Sequence, residues 1–90
     1  MVNKKSPPKM LAVEWMDHHT DGGWKTEEQC LESMRRPLIC RTVGFLVSED
    51  RRTLSLAQSC TQETGRYGEL INILKSTIVR RRTIRASSRR

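Results

Sequence analysis

The amino-acid sequence predicts a mainly β domain with one short helix, folded as a small five-stranded antiparallel barrel or a strongly bent sheet. Three observations carry that expectation. Apolar residues between Met10 and Ile84 come in short runs with a period of two, a helix-start signal stands before Pro37, and Gly44 interrupts the run richest in β-branched and aromatic residues. Ninety residues bury one modest core, so residues 10–84 are read as a single domain. The flanks have a different composition: residues 1–9 hold lysines and prolines but no acid, and residues 85–90 read Arg-Ala-Ser-Ser-Arg-Arg. Both are expected to be disordered basic tails, because neither buries enough to offset its ordering entropy.

In Met10–Asp17, Leu11, Val13 and Trp15 alternate with Glu14, the pattern of a half-buried strand. His18 to Gly23 reads as a loop, with Thr, Asp and two glycines. Thr26 can cap the amides that follow and Gln29 can reach back to it, which starts a helix. Glu27 and Glu28 suit its positive end, Leu31 and Met34 give a narrow apolar stripe, and Pro37 stops it. Leu38 to Val47 is the strongest strand, Ser48 to Arg52 a polar turn, and Thr53 to Cys60 a return strand with Leu54 and Leu56 on one face. A loop over residues 61–68, a short run Leu70–Leu74, a tight connection at Lys75-Ser76 and a solvent-facing strand Thr77–Ile84 complete the chain. Short antiparallel strands bending at a glycine are the ingredients of an SH3-like or Sm-like barrel, with an open meander covered by the helix as the alternative.

Charge is unevenly placed. Ten basic and ten acidic residues precede Lys75, whereas Lys75 to Arg90 holds seven basic residues and no acid, so the formal charge of +7 belongs to that segment. Such a segment attracts phosphate polyanions or an acidic protein face. The small core also makes self-association an expected source of stability. There is no apolar stretch of membrane-spanning length and no hydrophobic leader near the first residue, so no membrane partner and a cytoplasmic setting are expected. Cys30, Cys40 and Cys60 have no close spacing; they read as reduced thiols, with Cys30 and Cys60 as buried small hydrophobes.

The combination Val13-x-Trp15-x-Asp17, Asp21-Gly22-Gly23-Trp24, Val43-Gly44-Phe45-Leu46-Val47-x-Glu49-Asp50, Leu56-Ala57-Gln58-Ser59, Tyr67-Gly68 and Ile73-Leu74-Lys75-Ser76-x-Ile78 resembles small accessory proteins of tailed phages and prophages. The likeness spans most of residues 13–78. Leu74 stands where such relatives tend to have proline. The resemblance implies a phage accessory role, in a host cytoplasm, and assigns no activity to any residue.

The residues themselves point away from catalysis. Asp17-His18-His19-Thr20-Asp21 lacks metal-ligand spacing, since adjacent histidines on a strand face opposite ways. There is no glycine-rich phosphate loop, nucleophile elbow or activated cysteine, so neither an enzyme nor a cofactor is expected. Binding has more support. Arg80 and Arg82 should share one face of the last strand, with Arg81 and Thr83 on the other, and an edge position leaves all of them within reach of phosphate. Arg85 extends that row, and Lys75, Arg66 and Tyr67 are candidate rim contacts. Trp15, Trp24 and Phe45 look like core, leaving Tyr67 as the stacking candidate. The sequence therefore favours contact with nucleic acid or a phosphorylated small ligand. A protein-interaction module, binding a host or phage protein or assembling with itself through a sheet edge, is the other reading.

Overall fold

A computed structural model describes residues 8–85. The elements in chain order are β1 (Met10–Asp17), α1 (Glu27–Met34), β2 (Leu38–Glu49), β3 (Thr53–Cys60), β4 (Tyr67–Leu74), a 3-10 turn (Lys75–Thr77) and β5 (Ile78–Ile84). The protein is mainly β, and its strands form a five-stranded antiparallel sheet in the order β4-β3-β2-β1-β5. β4 and β5 are its edges, so the ladder is open.

The bend in this sheet comes from β2, which changes partner along its length. Its first part, Leu38 to Phe45, pairs with β1, and its last part, Phe45 to Glu49, pairs with β3. The two ladders overlap at Phe45, next to Gly44, which is buried and pairs with Leu11. A Cβ at Gly44 would stand 2.8 Å from the Ala57 carbonyl oxygen and 3.1 Å from Leu56 Cβ, so β3 approaches the β2 backbone more closely than a side chain permits. A register shift between Leu46 and Ser48 adds a further irregularity.

The bend lets the inner faces of β1, β3 and β4 meet. Leu11, Val13, Leu54, Leu56 and Ile73 form the buried cluster, with Trp15, Leu46, Ile71 and Ile78 packed around it. Leu54 and Leu56 are fully buried, each contributing on the order of 2 kcal/mol relative to exposure. Trp15 is part-buried, and its indole Nε1 donates to Thr42 Oγ1 at 3.0 Å, so its polar atom is satisfied beside the core.

Most boundaries follow the sequence reading, and the departures have local causes. β4 starts at Tyr67, earlier than the apolar run from Leu70, because Tyr67 and Gly68 pair with Cys60 and Ser59 despite turn-like composition. Glu69 carries the irregularity, with φ of 57° in the left-handed region. β2 extends to Glu49, shortening the turn to Asp50–Arg52, where Asp50 Oδ1 accepts the Arg52 and Thr53 amides at 2.8 Å. The amino-terminal tail was expected to run through residue 9, yet the Lys9 carbonyl accepts the Leu46 amide at 2.7 Å. The rest of that tail, residues 1–7, and residues 86–90 of the other lie outside the described residues.

Two expectations about burial fail. Trp24, placed in the core on its apolar character, is completely exposed, and Cys30 is exposed as well. Both belong to the β1–β2 connection, and α1 contributes no buried residue. Cys40 and Cys60 are half-buried, and all three cysteines are free thiols. The capping box forms as predicted, the Gln29 amide donating to Thr26 Oγ1 at 3.2 Å and the Thr26 amide to Gln29 Oε1 at 3.0 Å. Among the described residues no helix is long and apolar enough to cross a membrane.

Candidate functional site

β5 runs along the sheet edge, and its alternation separates the arginines. Arg80 pairs with Glu14 and Arg82 with Ala12 across the β1–β5 ladder, so both stand on the outer face. Arg81 pairs with Val13, a core residue, and therefore leaves from the inner side. There it meets the far end of β2: Arg81 Nη2 lies 3.0 Å from Glu49 Oε1 and Nη1 3.1 Å from Oε2, a bidentate pair. Lys75 Nζ lies 2.7 Å from Glu49 Oε2 and donates to the Asp50 carbonyl at 2.9 Å. The bend that builds the core thus brings a carboxylate from β2 against the basic carboxyl-terminal segment.

Two of the candidates therefore already have a partner within the fold. Arg81 and Lys75, expected to offer charge to an external anion, share the single carboxylate of Glu49, which leaves one positive charge in surplus there. Their role is to tie β5 and the 3-10 turn to the β2–β3 turn, a connection completed by the Lys75 amide donating to the Arg52 carbonyl at 2.8 Å. The two cations hold the Glu49 carboxyl down at about 2, the Arg81 hydrogen bonds being the largest cause and the Lys75 bond the next. Because the folded value lies below the ordinary 4.5, this contribution is complete above pH of about 4.5 and fades as acid approaches about 2. Glu49→Gln is expected to cost about 1–2 kcal/mol at neutral pH, allowing for solvent screening of a partly exposed carboxylate. Urea denaturation at pH 7 and at pH 3 checks this, with the gap between wild type and variant narrowing at the lower pH.

What remains on the outer face is a group of three guanidiniums around one carboxylate. The β2–β1 register sets Arg41 beside Glu14 and Val43 beside Ala12, so Arg41, Glu14 and Arg80 form one row and Val43, Ala12 and Arg82 the next. Arg41 Nε donates to Glu14 Oε2 at 2.9 Å, and the Arg41 side chain is 81% exposed. That hydrogen bond, with the added fields of Arg41, Arg80 and Arg82, holds the Glu14 carboxyl below its ordinary range. These residues line one shallow hollow across the three strands. Among the described residues no carboxylate pairs with Arg80, Arg82 or Arg85. Arg85 lies exposed just beyond the end of β5.

The other candidates lie elsewhere. Arg66 and Tyr67 belong to the β3–β4 hairpin, where the Arg66 carbonyl and amide are engaged by Thr61. Tyr67 is exposed, but nothing joins it or Arg66 to the β5 arginines among the described residues. His18 and His19 are exposed, and among the described residues no three metal-ligating side chains gather. Arg41 is the residue that the sequence reading missed. Its place beside Arg80 depends on two strand registers, which no local pattern in β2 carries.

Fold and site together define a small, β-rich protein with an electropositive outer sheet face. Comparison with protein-family models, curated proteins and solved structures finds no match to this chain.

Proposed function

We propose that this protein is a non-catalytic binding protein that grips phosphate groups, foremost those of a nucleic-acid backbone, on the outer face of β2, β1 and β5. One observation supports this reading above the rest: Arg41, Arg80 and Arg82 gather around Glu14 alone, leaving two positive charges in surplus. Guanidinium groups offer fork-shaped donors suited to phosphate oxygens. Arg80 and Arg82 are two residues apart on a strand, which sets their origins roughly 6.5–7 Å from each other. The face is open and shallow, and that suits a polymer running across it better than a small molecule enclosed by it. Arg85, exposed just beyond the end of β5, adds positive charge near this edge.

The likeness to tailed-phage accessory proteins supports a setting in an infected cell, where nucleic acid is abundant. Titration of the protein into a labelled single-stranded oligonucleotide, a labelled duplex and a labelled nucleoside triphosphate tests the reading by fluorescence anisotropy. Micromolar or tighter binding to at least one polymer, with much weaker binding to the nucleotide, is expected. No binding to any of the three at low salt refutes it.

A second reading, as a protein-interaction module, is favoured by a separate observation. Met16 and Met34 are exposed and border one hollow with Pro37. Exposed apolar surface concentrated in this way marks contact with another protein.

A further inference from the structure

We infer that the exposed face of α1 pairs with the same face of a second copy of this chain, the two helices running antiparallel about a two-fold axis. The inference is independent of the phosphate-binding proposal and concerns a different part of the surface. Helical spacing puts Glu27, Leu31 and Arg35 in one row, four residues apart, with Met34 beside Leu31. Arg35 keeps helical geometry at φ −83° and ψ −5°, so the row continues through it.

The chain leaves much of this face exposed, with Met34 also bordering a hollow beside Met16 and Pro37, and fixes the other side of α1 by polar contacts of its own. Ser33 Oγ donates to Asp21 Oδ2, and Arg36 Nη2 lies 3.9 Å from the same oxygen. Polar contacts thus fix the helix to its own loop, while its apolar residues are turned outward. Leu31 is 41% exposed, Met34 74% and the neighbouring Trp24 completely so. An eight-residue helix is far too short to be stable in water by itself, so cover on that side adds order as well as apolar burial.

The charges select the occupant. The row is acidic at one end, apolar in the middle and basic at the other. Antiparallel pairing about Leu31 sets Glu27 of one copy against Arg35 of the other, twice over, with Leu31 and Met34 between. A parallel arrangement opposes like charges. The arginines of β5 in another molecule would attract Glu27 but repel Arg35, and a uniformly acidic or basic partner likewise matches only one end. The face is complementary to itself.

Sedimentation velocity over a range of protein concentrations at low ionic strength tests this with wild type, Glu27→Arg, Arg35→Glu and an equimolar mixture of the two variants. Wild type is expected to dimerise. Each variant alone opposes like charges at both ends and should self-associate at least about tenfold more weakly. Both changes also oppose the helix dipole, and fraying from that cause persists in the mixture. The mixture, however, restores opposite charges at both ends and should recover dimers at close to wild-type affinity. A wild-type chain that remains monomeric overturns the inference. Variants that dimerise like wild type place the contact at a sheet edge instead, and a mixture no better than its components rejects the antiparallel pairing.

Discussion

Gly44→Val is expected to destabilise the domain by about 3 kcal/mol, the largest stability loss of any single change proposed for this protein. Valine favours strands, so propensity alone predicts a gain at this position. The geometry predicts the reverse. The atom that would meet the new side chain at 2.8 Å is a backbone carbonyl oxygen, which moves only if β3 moves with it. Separating β3 from β2 there would also loosen Leu56 over the core and weaken the hand-off of β2 from β1 to β3. For a domain of this length the midpoint of thermal unfolding should fall by roughly 15 °C. Gly22 provides the contrast, since nothing stands within 4 Å of a Cβ placed there, and Gly22→Ala should be almost neutral. Thermal denaturation of the two variants beside wild type decides the matter, and a Gly44→Val chain as stable as wild type removes the proposed cause of the bend.

The second large effect concerns binding. Replacing Arg80 and Arg82 together by serine is expected to weaken oligonucleotide binding at least tenfold, at moderate salt, with little loss of stability. Neither arginine holds an ion pair among the described residues, so removing them leaves no carboxylate newly unpaired inside the fold. Glu14 keeps its bond from Arg41, and the face falls from a surplus of two positive charges to neutrality. Arg81→Ser has the opposite profile: it strips Glu49 of its bidentate partner and lowers stability by about 1 kcal/mol, but takes nothing from the outer face. Anisotropy and urea titrations of the same samples separate these two losses.

The contrast between Arg80 and Arg81 also shows how far a sequence of this kind can be read. Local pattern was sufficient for most elements: the alternation Leu11, Val13, Trp15 gave β1 its bounds, Thr26 and Gln29 gave α1 its cap, and Leu54 and Leu56 announced the core face of β3, whereas turn-like composition hid the start of β4 at Tyr67. Alternation likewise separated Arg80 and Arg82 from Arg81. What no local pattern carries is the register between strands distant in sequence, and the site depends on it. Arg41 comes beside Glu14 through the β1–β2 register, Arg80 joins them because β5 returns to β1, and Glu49 comes beside Arg81 across the sheet. Trp24 misled for a related reason. Apolar character indicates that a residue gains from burial, but not that its own chain supplies the cover.

The most direct test of the phosphate-binding account is the slope of log affinity against log salt concentration for a single-stranded oligonucleotide, measured with wild type, Arg81→Ser and Arg80→Ser/Arg82→Ser. Each lost phosphate contact lowers the steepness by about 0.7, so the double variant should be shallower by about 1.4 and Arg81→Ser should match wild type. Equal slopes for all three proteins, or a flattening caused by Arg81→Ser alone, would contradict the assignment of the outer face as the place where phosphates are held.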